Sequence, residues 1–162
     1  MEQTIRNRLV YVTALLWVAA QIYIAFAPVP GMIIRPLHVS FCLILVFLLY
    51  PAFKNKPRLS LGIDAGPVLV IILFMVYSVY YGDRIVTRLP FVDDLFASDY
   101  FFNFALVVLL LEAGRRVLGW SMTIVALVFM AYSFFGADLP GILAHPVVSV
   151  ADFVENQTMT SS

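Results

Sequence analysis

The chain has 162 residues, of which 62% are hydrophobic and 12% are charged, whereas a soluble domain is about half apolar and about a quarter charged. Its ten basic residues balance its ten acidic ones, so no basic field is available to hold nucleic acid or to draw the chain strongly onto anionic lipid headgroups. This composition excludes a water-soluble globular domain and specifies an all-α polytopic membrane protein lodged in a lipid bilayer.

Crossing a hydrocarbon core of about 30 Å takes roughly 20 apolar residues in a helix, and four stretches qualify: Leu9 to Ala27, Leu37 to Phe53, Ala65 to Gly82 and Val117 to Gly136. A fifth, Tyr100 to Leu111, is short unless it borrows its flanks. Arg6 and Arg8 precede the first run, and Ala25 to Ala27 resembles a leader-cleavage site. The run nevertheless exceeds the usual leader core of about 7 to 15 residues, and Pro28 would directly follow the cut, so it is read as a span. The second span opens after Arg35 with Pro36 in its first turn, where a missing N–H is harmless. Asp64 is placed to cap the third span, with Pro67 in its first turn and Tyr77, Tyr80 and Tyr81 as an aromatic belt at its far end.

From Asp83 to Asp99 the composition turns polar, giving a water-facing connection with room for a short interfacial helix. After Gly136 the segment "ADLPGILAHP" carries a turn at Pro140 and Gly141, and the closing "ENQTMTSS" carries no structural signal. Without internal repeats or a soluble insertion, the chain reads as one membrane unit over residues 1–162. The expected spans lie near 9–27, 37–53, 65–82, 98–114 and 117–136, with a tail over 137–162.

The stretch "LLLEAGRRVLGW", Leu109 to Trp120, decides between five spans and four. Basic residues favour cytoplasmic loops. With five spans and an inside N-terminus, Arg6, Arg8, Lys54, Lys56, Arg58, Arg115 and Arg116 lie inside, against Arg35, Arg84 and Arg88 outside. The C-terminus then lies outside. One helix over 99–136 would instead run about 57 Å, nearly twice the hydrocarbon thickness, with no polar face on either half. A tight hairpin at Gly114 is therefore expected, although Tyr100 to Gly114 then spans only about 22 Å. Glu112 stands at i,i+3 and i,i+4 from Arg115 and Arg116, which suits either a charged cluster against a partner helix or a simple interfacial anchor.

Ion-coupled carriers place ionisable groups within their spans, and the first and third predicted spans contain none. The polar residues within spans, such as Gln21, Ser40, Asn103 and Thr123, suit helix packing. His38 and His145 lack Cys, Asp or Glu at a metal-ligand spacing, and the lone Cys42 reads as an inert thiol. Zinc-protease pairs, phosphate loops and nucleophile elbows are all missing. No enzyme, cofactor or metal is expected, and the residues alone read as a small polytopic membrane protein that is a partner and not an engine.

Two segments resemble a known family: "RPLHVSFCLILVFLLYPAFKNKPR" from Arg35 to Arg58, and "LLLEAGRRVLGWSMTIVALVFMAYSFFGADLPGILAHP" from Leu109 to Pro146. They look like the N-terminal portion of TRAP transporter permeases of the TAXI type. The resemblance is carried by His38 with "FLLYP", by "LEAGRRVLGW" and by "YSFFGADLPGILAHP". It implies a small membrane unit beside, or fused to, a large permease unit that holds the substrate and sodium sites. A periplasmic solute-binding protein would deliver a carboxylate-type solute to a bacterial or archaeal cytoplasmic (inner) membrane for sodium-driven import. In that family the two units are usually one polypeptide, so this chain is expected to be a separately encoded subunit or a piece of a fused one. Glu112, Arg115 and Arg116 are the candidate residues against the large unit, and Asp93 and Asp94 are candidates to face the binding protein. The alternative is a membrane scaffold or assembly factor without a transport role.

Overall fold

The computed structural model describes residues 2–53, 57–89, 92–138, 140–141, 144–146 and 148–156. Lys54, Lys56 and the closing residues 157–162 lie outside the described residues. Among the described residues the regular structure is all helical, without strands. Three helices are long and apolar enough to cross a membrane, over Thr4–Phe26, Gly31–Leu49 and Leu59–Tyr80, and a shorter apolar helix covers Trp120–Phe135. The chain is a helical membrane protein, and it divides into two compact units, over residues 1–88 and 89–160.

The first unit contains α1 (Glu2–Phe26), α2 (Gly31–Leu49), α3 (Pro57–Tyr80) and the short α4 (Gly82–Thr87). In this unit α2 packs against both α1 and α3. Its buried residues, Ser40, Leu43, Ile44, Phe47 and Leu48, recur at the i, i+3, i+4, i+7, i+8 spacing of one helical face. On α3 the buried stripe is Ser60, Asp64, Ile71, Phe74, Tyr77 and Ser78. The outward faces of α1 and α3 are apolar, with Leu15, Leu16, Val76 and Val79 more than half exposed. That pattern costs free energy in water and little in hydrocarbon.

The helices start earlier than the hydropathy pattern predicts. Asp64 is not the cap of α3, because the helix begins at Pro57 and Asp64 lies two turns inside it. Pro67 is likewise internal, and Pro36 sits inside α2 beyond its first turn. Charged residues end an apolar run without ending a helix, since Arg6 and Asp64 satisfy each other where they meet. The Arg6 Nη2 donates to the Asp64 carboxylate at 2.8 Å and to the Phe47 carbonyl at 2.7 Å, and Nε donates to the Leu48 carbonyl. The Ser60 hydroxyl donates to the same carboxylate at 2.8 Å. One guanidinium thereby joins α1 to the end of α2 and the beginning of α3. The Asp64 side chain is only 3% exposed, and breaking so buried a pair costs about 3–5 kcal/mol.

The second unit contains α5 (Ala97–Leu118), α6 (Trp120–Phe135), one 3-10 turn (Gly136–Asp138) and α7 (Val150–Val154). α5 runs straight through Gly114, so the turn expected there falls at Gly119 instead. Gly119 has φ 85° and ψ −178°, a region essentially reserved for glycine. α7 packs on α5 and lines a cleft with Tyr100, while Phe153 of α7 lies 5.0 Å from the Phe134 ring near the end of α6. A straight continuation of α5 would carry Phe134 about 50 Å from Tyr100, so α6 folds back along α5. The length shortfall moves as well: the 22 residues of α5 reach about 33 Å, and the 16 of α6 reach about 24 Å.

The two glycines of the joint make opposite predictions, and neither would bring a new Cβ within 4 Å of a neighbour. Gly119→Ala is expected to destabilise by about 1–3 kcal/mol through backbone strain. Gly114→Ala should stabilise by about 0.5–1 kcal/mol, because alanine loses less backbone entropy inside a helix. Equilibrium unfolding of both variants in detergent checks this, and equal responses would contradict a break located at Gly119.

Candidate functional site

The structure brings Glu112, Arg115 and Arg116 together at the turn of the hairpin. They occupy the last two turns of α5, and the helix places all three on neighbouring positions of its surface. Arg115 grips the Glu112 carboxylate with two parallel bonds, Nε to Oε2 and Nη2 to Oε1, each 2.7 Å. Arg116 adds a third, Nε to Oε1 at 2.7 Å. Two guanidiniums share one carboxylate, so the cluster keeps a formal charge of about +1 beside the negative end of the helix dipole. The Arg116 side chain is 6% exposed and those of Arg115 and Glu112 about a third.

Beyond the glycine, the Trp120 ring lies 5.3 Å from the Arg115 guanidinium carbon, within cation–π range. The Thr123 hydroxyl donates to the Gly119 carbonyl at 3.2 Å. "EAGRRVLGW" is therefore a single structural device, in which a carboxylate clamps two cations, a glycine reverses the chain and an indole covers one of the cations.

Asp93 and Asp94 lie away from this joint, in the connection before α5. They line a polar cleft of about 140 Å³ with Tyr100, Asp152 and Glu155. The Asp93 carboxylate accepts the Leu89 N–H at 2.7 Å. Asp152 and Glu155 went unnoticed in the sequence although a signal was present, since Ser149 and Asp152 have capping-box spacing before a short apolar run. The Ser149 hydroxyl donates to the Asp152 carboxylate at 2.7 Å and the Ser149 N–H at 3.0 Å. These two bonds lower the Asp152 pKa in that order of importance. Among the described residues, no group of three or more His, Cys, Asp and Glu side chains is arranged to hold a metal ion.

His145 folds back onto the end of α6. Its Nε2 lies 2.9 Å from the Tyr132 carbonyl and its Nδ1 lies 2.7 Å from the Pro146 carbonyl, and its ring meets the Tyr132 ring edge-on at 4.9 Å. Both nitrogens face acceptors, and only the imidazolium form has two N–H donors. The carbonyl of Tyr132 and then that of Pro146 raise the His145 pKa above its ordinary value, against partial desolvation. Gly136 makes this possible, because a Cβ there would stand 2.1 Å from Nε2. The turn expected at Pro140 and Gly141 is also present, with Gly141 at φ 68°.

His38, expected to open its span, lies inside α2, where Nδ1 pairs with Gln21 Nε2 of α1 at 3.1 Å. Trp17 meets its ring edge-on at 5.1 Å. These contacts tie α1 to α2 and bring no second metal-ligating type to the histidine.

The chain matches no protein-family model, no curated protein and no solved structure. The geometry of the joint and of the cleft therefore carries the functional reading.

A raised folded-state pKa stabilises below the unfolded value and ceases to do so as pH rises through the folded one. The hold of His145 on α6 is therefore expected to be complete below about pH 6.5 and to fade above its raised pKa. NMR titration of the His145 ring should give an inflection above the ordinary imidazole value in the native chain. In Gly136→Ala, which displaces the ring, the inflection should fall back toward 6.5. An unshifted inflection in both would refute the double-donor arrangement.

Proposed function

We propose that this chain is the small membrane unit of a tripartite, binding-protein-dependent secondary transporter, similar to TRAP permeases of the TAXI type. It supports a large permease unit that binds sodium and substrate, and the complex imports a carboxylate-type solute across a bacterial or archaeal inner membrane. The chain crosses five times, through α1, α2, α3, α5 and α6, with its N-terminus in the cytoplasm and its C-terminus in the periplasm.

The observation that carries this reading is the joint itself. The segment with the most distinctive resemblance, "LEAGRRVLGW", coincides with a closed ion cluster, a glycine-only turn and a covering indole. A cluster that retains positive charge at a helix turn suits the cytoplasmic side and offers a polar contact to a neighbouring membrane subunit. Contrary to the expectation that the first and third spans hold no ionisable group, the Arg6–Asp64 pair lies inside the candidate spans Thr4–Phe26 and Leu59–Tyr80, within about two turns of their ends. The Glu112 pairs lie in the last two turns of α5. Charges so near a boundary fit a supporting unit better than an ion-coupled carrier. Asp93 and Asp94, which share their cleft with Asp152 and Glu155, form the face offered to the solute-binding protein.

Two experiments test this reading. Purification of the natively expressed chain in mild detergent, followed by intact-mass measurement, should find a large hydrophobic partner or a covalent extension past Ser162. Reversing Arg115 and Arg116 together to Glu should lower both co-purification and solute uptake, and unchanged values would reduce the pair to anchors. For topology, a periplasm-active reporter fused after Ser162 should be active and one fused after Lys56 inactive. An inactive fusion after Ser162 would sink the five-span arrangement.

A further inference from the structure

The transporter reading leaves unused a groove in the first unit. α1 and α3 both pack on α2, and a groove of about 400 Å³ is lined by residues of α1 and α3, including Leu9, Val68, Leu69 and Ile72, with Leu48 of α2. Its lining on α3 runs from Leu61 to Ile72, about 16 Å at the helical rise. Arg6 and Asp64 also line it, so the groove is charged near the beginning of α3 and apolar toward its middle. A phospholipid has the same polarity along its length.

Arg6 has donors to spare. A guanidinium carries five N–H groups, and Nε and Nη2 serve Leu48, Phe47 and Asp64. Nη1 has no partner among the described residues, and the side chain keeps 16% of its surface exposed. Exposed Arg8 follows two residues on along α1. The open N–H edge of Arg6 is a charged donor that complements a phosphodiester.

We propose that the groove is a phospholipid site, in which one acyl chain lies along α3 from Ala65 to Ile72 and the phosphate accepts a hydrogen bond from Arg6 Nη1. In hydrocarbon the acyl chain gains nothing from leaving water. Retention therefore comes from dispersion contacts in a shaped groove and from the charge-assisted bond. The inference rests on the membrane helices of the first unit and is independent of the transporter reading.

The test is native mass spectrometry of the full chain in mild detergent, with dioleoylphosphatidylglycerol, dioleoylphosphatidylcholine and dioleoylglycerol as probes. The phosphatidylglycerol should be retained about tenfold over dioleoylglycerol, the ratio expected for one charge-assisted bond, with phosphatidylcholine between them. Leu69→Trp and Ile72→Trp, which fill the groove, should lose the bound lipid, whereas Leu15→Trp, on an exposed part of α1 outside the groove lining, should keep it. Equal retention of the phosphate-free lipid overturns the proposal, as does retention unaffected by both groove-filling variants. A copurified protein whose cross-links map to Leu69 and Ile72 would overturn it too, by identifying a partner helix as the occupant. The headgroup comparison uses the native chain, so it decides even if a tryptophan variant fails to fold.

Discussion

Arg6 and Asp64 form the contact on which the first unit depends. A carboxylate inside an apolar helix bundle is costly unless paired, and the Asp64 carboxylate accepts from the Arg6 guanidinium, the Ser60 hydroxyl and the Ala52 N–H. The guanidinium also takes two carbonyls at the end of α2, which have no intrahelical donor there. A single side chain thus neutralises a buried charge and closes a helix end, and both tasks hold the three long helices together at the same point. Elsewhere in the unit contact is largely apolar, and apolar contact alone gives weak orientation among helices surrounded by lipid.

The second unit is organised by a different constraint. Its two helices are reversed by Gly119, whose backbone angles are accessible without strain only to glycine. The charges of the joint stay on the α5 side of that glycine, with the carboxylate clamped by two guanidiniums within the last two turns of the helix. At the other end of the hairpin, α7 and His145 close over the end of α6. α6 itself remains largely uncovered, with Thr123 its only buried residue among those described. Such a helix is stable in lipid, and Met122, Ile124, Val128 and Phe129 leave it a largely open apolar face.

The Arg6–Asp64 and Glu112–Arg115–Arg116 ion pairs lie within about two turns of helix ends, and the exposed surfaces of α1, α3 and α6 are largely apolar. The proposed supporting role would draw on these apolar faces and boundary contacts, whereas a solute path would need polar groups midway through the membrane. Within the helices, Gln21 and His38 bond to each other across α1 and α2, and the Ser40 hydroxyl donates to the Pro36 carbonyl of its own helix.

The sequence by itself determined the helical membrane class, the apolar core of each long helix, the existence of a break near the charged joint and the local pairing of Glu112 with Arg115 and Arg116. All of these follow from hydropathy or from spacings of a few residues, which the chain carries without reference to its fold. The sequence misplaced the break by five residues because Gly114 and Gly119 look alike as letters, and only backbone geometry shows which of them needs a positive φ. It took Asp64 for a cap because its true partner stands 58 residues away in sequence, where no local pattern reaches. For the same reason only tertiary structure put Asp152 and Glu155 beside Asp93 and Asp94, folded His145 over Gly136 and opened the groove between α1 and α3. These features are juxtapositions across distant segments, and their energies arise only once packing has chosen the neighbours.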